Sequence, residues 1–130
     1  MRLTIADDLL SKSGLKKALQ AVRGCQEPCL LWASLPCTWG SPLQALNRRH
    51  PGHKNRMSRL FKAFKQLWAS LEDVARANHK RGGALAIEWP KNCTLWQQRC
   101  VKTLVEELDL QKAEAHGCAM GLKTPEGKPL

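Results

Sequence analysis

Two reactive side chains each follow a short apolar run. Cys37 comes shortly after Leu30-Leu31-Trp32-Ala33, and Glu88 directly follows Ala84-Leu85-Ala86-Ile87. Both runs are typical of buried strands in a parallel sheet, whose carboxyl ends meet at the edge where open α/β sheets bind ligands. We therefore expect the thiol and the carboxyl on neighbouring strands, facing one cleft, with their side chains within about 10 Å. A nucleophile beside an acid indicates covalent chemistry with proton transfer.

Each of these side chains also has a plainer interpretation. The Cys37 thiol is either a nucleophile, with a pKa lowered by a basic loop and a helix N-terminus, or a small side chain that only packs. Glu88 is either a proton donor, whose pKa is raised by loss of water, or a residue that caps the helix beginning near Thr94 or pairs with a basic residue. The residues alone leave both alternatives open.

A long loop over residues 36–53 contains several Pro and Gly residues, and long loops in small domains are usually functional or disordered. Its hydroxyl and amide groups could hydrogen-bond a base or a phosphate. Trp39 could stack on a base, or it could pack the loop down. With residues flanking the two apolar runs, the candidate substrate-binding residues are Ser34, Pro36, Thr38, Trp39, Ser41, Gln44, Trp89 and Pro90.

The chain is strongly basic, with 21 Lys and Arg against 11 Asp and Glu and a formal charge of +10. Such an excess favours DNA or another nucleic acid as partner. A solvated basic face, or a fragment whose acidic remainder lies elsewhere, would give the same charge. The candidate phosphate contacts, which we expect to bind without reading bases, are Arg48, Arg49, Lys54 and Arg56.

The six cysteines bear on the compartment. Met1–Ala6 has no apolar core of a signal peptide before the acidic pair Asp7-Asp8, so we expect an intracellular, reducing location, nuclear if the protein acts on DNA, and no secretion. No apolar stretch approaches the roughly 20 residues of a membrane helix. The Cys and His pairs are too loose for a zinc framework. Neither a membrane nor a metal is therefore expected as a partner.

The spacing of apolar residues predicts the helices and strands that would position the candidate site residues. Apolar residues at helical spacing predict helices over residues 13–24, 55–79 and 94–110. Strands are predicted over Arg2–Ala6, Cys29–Ser34, Ala84–Trp89 and Ala113–Cys118. This alternation predicts an α/β fold, a three-layer Rossmann-like domain with a mostly parallel sheet of about four strands and helices on both faces. We assign residues 1–122 to one domain and 123–130 to a C-terminal tail.

Three segments resemble a known family. Ser34–Ser41 resembles the Pro-Cys segment of DNA cytosine-5 methyltransferases, and Ile87–Pro90 resembles their following Glu motif. His116–Leu122, with Lys128-Pro129, is similar to a downstream segment of divergent methylase-like domains of phages, large viruses and, in particular, dinoflagellate retroelement-rich polyproteins. The resemblance covers roughly residues 29–130. It implies that Cys37 attacks cytosine C6, that Glu88 supports the base at N3, and that the base is flipped out of the duplex.

The resemblance also implies S-adenosylmethionine as the methyl donor, with Asp7 or Asp8 approaching its adenosine. The chain departs from the family where Thr38 replaces Gln and where Trp89-Pro90 replaces Asn-Val or Asn-Pro. The family's Gly-rich turn for the donor and its target-recognition domain have no counterpart. We therefore expect a truncated methyltransferase-like domain, with a missing upstream segment of a larger polyprotein as a further partner.

Two functional hypotheses follow. The first is a DNA cytosine-5 methyltransferase or its remnant, with a Cys nucleophile and a Glu acid. The second is a noncatalytic, basic DNA- or RNA-binding module of a mobile-element polyprotein. Because catalysis needs the methyl donor held close to the base, and no Gly-rich turn is present to hold it, we expect no methyl transfer by the isolated chain.

Overall fold

The computed structural model describes residues 8–115, 120, 121 and 123–128. The protein is mostly helical. Its regular elements, in chain order, are helix α1 (Lys12–Gly24), strand β1 (Leu30–Ala33), helix α2 (His53–His79), strand β2 (Ala84–Ile87) and helix α3 (Arg99–Glu107). Short 3₁₀ turns occur at Thr38–Gly40, Pro42–Asn47 and Thr94–Gln97.

The two strands form a parallel pair in which Leu30 lies opposite Ala84 and Ala33 lies opposite Ile87. Backbone hydrogen bonds continue past both ends, from the Ala84 N–H to the Cys29 carbonyl and from the Glu88 N–H to the Ala33 carbonyl, both at 3.0 Å. Parallel strands need a long crossover, and α2 together with the loop before it supplies that connection. The two carboxyl ends therefore lie side by side.

The prediction of a three-layer Rossmann-like sheet of about four strands is wrong, because the described residues form only two strands. Residues 113–115 are not in a strand. The rest of that predicted strand, 116–118, and the predicted strand Arg2–Ala6 lie outside the described residues. Helices do not cover both faces of the described sheet either, since Leu30 and Trp32 project from β1 and are each 62% exposed.

The predicted helix over 94–110 is also divided in two. Thr94–Gln97 forms a 3₁₀ turn, and α3 begins only at Arg99. The break falls at Gln98, whose backbone is extended, with φ −66° and ψ 135°. Apolar spacing alone did not reveal this break, because the side chains on both sides of it still point into the same core.

The core lies on one side of the sheet, against α2. The buried face of α2 packs with Leu95 and with the inward face of α3, in a cluster that includes Phe64, Trp68, Leu71, Ala75, Val101 and Leu104. A second cluster joins α1 to α2 through Ala18, Val22 and Val74. Because half-buried Leu31 contacts both clusters, the inward face of β1 connects them.

Asn78 fixes the C-terminal end of α2 to the beginnings of both strands. Its buried side chain donates to the Cys29 carbonyl at 3.0 Å and to the Ala84 carbonyl at 2.9 Å. Its Oδ1 accepts from the Cys29 thiol at 3.0 Å. A Cβ at Gly83 would overlap this amide, so a residue without a side chain is required there. The strand pair and the crossover helix are thereby held in one arrangement.

Candidate nucleic-acid interface

The two candidate catalytic residues lie beyond the same edge of the sheet. Glu88 is the first residue after β2, and its backbone is bonded to the last residue of β1. Cys37 follows β1 by four residues and precedes the 3₁₀ turn Thr38–Gly40. Since β1 and β2 are parallel neighbours, the chain carries both residues past their common carboxyl edge.

The Glu88 side chain points along the outer face of the sheet. It is exposed, and its Oε2 accepts a hydrogen bond from the Trp32 Nε1–H at 3.1 Å. The loss of water expected for a proton-donating carboxyl is therefore absent. The contact instead joins Glu88 to an exposed aromatic ring on the neighbouring strand.

The Cys37 side chain belongs to a packed loop. It is half-buried against the main core, and its neighbour is the buried thiol of Cys93. Burial raises the pKa of Cys93, and the proximity of Cys37 adds to that rise. A Cβ at Gly40 would lie 2.8 Å from both Cys93 Sγ and Leu95 Cγ, so the loop after β1 touches the turn after β2 directly.

Two of the candidate substrate-binding tryptophans are engaged inside the protein. Trp39 stacks on Phe61 with ring centroids 4.5 Å apart and an interplanar angle of 29°. Trp89 is buried, its Nε1–H donates to the Leu35 carbonyl at 2.8 Å, and its ring meets Trp96 edge-on at 4.8 Å. These indoles hold the loop and the turn against α2.

The polar candidates bond mainly to the loop itself. The Ser41 hydroxyl accepts from the Leu43 N–H at 3.3 Å, and Gln44 Nε2 donates to the Thr38 carbonyl at 2.8 Å. Gln44 Oε1 is buried without a partner among the described residues. Exposed positions in this group are Ser34, Pro36, Thr38 and Pro90. Two shallow grooves lie along α1 and between α1 and α2, and neither is lined by Cys37 or Glu88.

The candidate cofactor residues are only partly described. Asp8 is exposed, and its Oδ1 accepts from the Leu10 N–H at 2.9 Å in the turn that precedes α1. Asp7 lies outside the described residues. Asp8 therefore has a local role at the beginning of a helix.

The basic residues form the most distinctive surface. Arg48, Arg49, Lys54 and Arg56 are all exposed. Three further exposed cations, which are not among the candidate phosphate contacts, continue along α2: Arg59, Lys62 and Lys65. We call residues 48–65 the cationic segment. Residues 28–71 hold these seven Lys and Arg and no Asp or Glu. This acid-free run is the sequence signal that could have predicted the full extent of the cationic segment.

The cations of this segment have no acidic partners within the described part of the chain. The ion pairs there join Arg76, Lys91 and Lys112 to Glu72, Glu107 and Glu114, all outside the segment. Lys65 instead lies over the Phe61 ring, 5.5 Å from its centroid. The positive charge of the segment is therefore available to an external anion.

The beginning of α2 concentrates this charge further. Gly52 precedes the helix in a left-handed conformation, with φ 77°, provides no side-chain cap, and the first turn has no acidic residue. Free N–H groups and the helix dipole already make this end positive, so each added cation costs about 0.3–1 kcal/mol. An anion bound there would relieve that repulsion.

The cationic segment lies at the carboxyl end of the sheet. Phe64 and Trp68 contact Trp89, just after β2, with ring centroids 6.2 and 5.7 Å apart. With a rise of about 1.5 Å per residue, the residues of α2 before Phe61 extend beyond that level. They project past the edge where β1 and β2 end.

Within the described ranges, no three His, Cys, Asp or Glu side chains come together in a way that could hold a metal ion. None of the described helices combines the length and apolar character needed to cross a bilayer. The nearby Cys25 thiol, together with burial, raises the pKa of the Cys29 thiol.

No protein-family model, curated protein or solved structure matches this chain. Its function is therefore inferred from its own residues.

Proposed function

We propose that this chain is a noncatalytic nucleic-acid-binding module that holds the phosphate backbone through the cationic segment. One observation carries the proposal: seven exposed cations over residues 48–65, without acidic partners among the described residues. Cations that serve only solubility are usually interspersed with acids. Here they are gathered on one loop and one helix end.

Polyanion binding matches the physical properties of this surface. Each phosphate neutralised by a Lys or Arg releases condensed counterions, which is the main source of sequence-independent affinity. The uncapped N-terminus of α2 adds backbone N–H groups that favour the same anions. Contacts of this kind position a nucleic acid without reading its bases.

The test removes charge from the segment and compares it with equal removal elsewhere. The variant Arg48→Gln, Arg49→Gln, Lys54→Gln is matched by Lys80→Gln, Arg99→Gln, Lys102→Gln, which takes three exposed cations from other surfaces. Binding to mixed-sequence DNA is measured across a salt series. The first variant should bind all sequences more weakly and lower the slope of log K against log salt by about 3. Equal losses in both variants, or no loss in either, would contradict the proposal.

One observation favours a second candidate, a cytosine-5 methyltransferase-like activity. Cys37 and Glu88 follow neighbouring parallel strands at one sheet edge, as such a catalytic pair requires. The exposed carboxylate and the packed thiol argue against it. Transfer of labelled methyl from S-adenosylmethionine to mixed-sequence DNA, with Cys37→Ser as control, decides the matter. We expect no incorporation, and Cys37-dependent incorporation would establish the enzyme.

A further inference from the structure

The outer face of the sheet displays a large aromatic ring to solvent. Leu30 and Trp32 are each 62% exposed, whereas Ala33 on the same strand is 6% exposed and packs into the core. Across the pair, Trp32 lies opposite Ala86, whose methyl group is too small to cover an indole. The ring is therefore accessible to a flat, apolar partner.

Glu88 holds this ring by its edge. The hydrogen bond from Trp32 Nε1 to Glu88 Oε2, at 3.1 Å, lies at the rim of the indole and not over its faces. A ring restrained in this way loses less side-chain entropy when a ligand stacks on it. Glu88 is thus a positioning residue for Trp32.

We propose that Trp32, oriented by Glu88, is a stacking platform for a base of single-stranded nucleic acid. The proposal rests on the function proposed above, since the cationic segment, past the same sheet edge, would hold the phosphates. Stacking on an aromatic ring tolerates any base, because every base has a π-face. A duplex keeps its base faces stacked inside and cannot use such a platform.

Charge complementarity selects this occupant over a second copy of the chain. Two copies would each bring a formal charge of +10. Like charges of this size oppose association, whereas a polyanion is attracted. An unpaired strand of nucleic acid offers phosphates and apolar ring faces together.

The first experiment compares single-stranded and duplex DNA of one sequence, by fluorescence anisotropy, for wild type, Trp32→Ala and Trp32→Phe. Trp32→Ala should weaken single-strand binding roughly tenfold and leave duplex binding unchanged, and Trp32→Phe, which keeps an aromatic face but cannot donate to Glu88, should bind single strands with an affinity between those of Trp32→Ala and wild type. The control is Leu46→Ala, which shortens another exposed apolar side chain, 77% exposed. It should behave as wild type.

The second experiment tests the positioning role of Glu88. Glu88→Gln keeps an oxygen that can accept from the indole, whereas Glu88→Ala does not. Both variants remove the same negative charge, so a comparison between them isolates the hydrogen bond to the indole. The informative quantity is the ratio of the single-strand affinity to the duplex affinity. It should be several-fold lower in Glu88→Ala than in Glu88→Gln, and equal ratios in the two variants would overturn the positioning role of Glu88.

The outcomes separate this inference from the proposed function. If Trp32→Ala binds duplex and single strands with wild-type affinities, the platform is wrong and the phosphate-binding proposal stands. If the wild type binds neither form, both are wrong. If sedimentation velocity shows a wild-type dimer that Trp32→Ala converts to a monomer, the outer face is a self-interface and the platform is overturned.

Discussion

Residues 28–71 and 72–115 are two stretches of equal length that differ in charge balance. The first holds seven Lys and Arg and no acid, while the second holds seven of each sign. The second stretch also contains the ion pairs found between described residues. The boundary falls inside α2, so one continuous helix has an uncompensated end and a compensated end. The ion pairs between described residues therefore leave the positive surplus of the first stretch uncompensated, and the proposed polyanion is what would neutralise it.

The largest effect should come from the residue that joins the two stretches. Trp68 is 2% exposed, and its Nε1–H donates to Glu72 at 2.8 Å across the boundary. Trp68→Ala should lower the free energy of unfolding by about 3 to 5 kcal/mol, measured by urea denaturation. Trp68→Phe, which keeps an aromatic ring, should cost less. Two separate transitions in the wild type would show that the stretches do not share one core.

The next effect concerns the compensated end of α2. Asn78→Ala leaves the Cys29 and Ala84 carbonyls without their side-chain donor, and it should cost about 1 to 3 kcal/mol. Asn55→Ala is the matched control on the exposed, cationic end of the same helix. Urea midpoints should fall for the first variant and stay near wild type for the second. Equal midpoints would remove the structural role assigned to Asn78.

A smaller effect on stability should differ between the two stretches. Arg76 binds Glu107 through its Nε at 2.8 Å and Glu72 through its Nη1 at 3.4 Å. Arg76→Met should lower the urea midpoint, by less than either truncation above, because the pairs are partly exposed. Lys62→Met should leave the midpoint unchanged or raise it, since it removes repulsion. A loss in Lys62→Met as large as that in Arg76→Met would break the comparison.

The smallest effect is the dependence of stability on acid. Hydrogen bonds from Arg76 lower the pKa of Glu107 from 4.5, and Lys112 and then Lys91 lower that of Glu114 to about 2. A carboxyl with a lowered folded-state pKa stabilises the protein above its unfolded pKa, and that contribution is lost as pH falls through the folded value. Stability should therefore decline as pH falls from about 4.5 towards 2. Stability should decline less steeply with falling pH in Glu114→Gln. A pH profile of stability identical to that of the wild type would count against a stabilising role for the ion pairs of Glu114 with Lys91 and Lys112.

Part of this fold follows from apolar spacing. The stripe on α2 is long enough that the predicted helix differs from the observed one by two residues at its start. The number of strands could not be deduced, because a run of four apolar residues does not tell whether its partners exist. For the same reason, the sequence did not predict that the Trp32 side chain is exposed. Leu30-Leu31-Trp32-Ala33 was interpreted as buried on both faces, whereas its alternate residues face solvent.

The candidate site was predictable in position and not in orientation. Parallel strands bring their carboxyl ends together, so the neighbourhood of Cys37 and Glu88 follows from topology. The direction of each side chain depends on partners distant in sequence, namely Trp32 for Glu88 and Cys93 for Cys37. Composition predicted the basic surface, and the acid-free run that defines its extent is equally visible in the sequence.

The close contact at Gly40 restricts which amino acids position 40 can accept. Any side chain there would meet Cys93 Sγ and the Leu95 backbone nitrogen, at 2.8 and 2.9 Å, and the backbone cannot move aside. A saturation library selected for folded protein should therefore be depleted of every replacement at position 40, although the residue lies in a loop. Gly52, with φ 77° and open space around its Cα, should accept Asn far more readily.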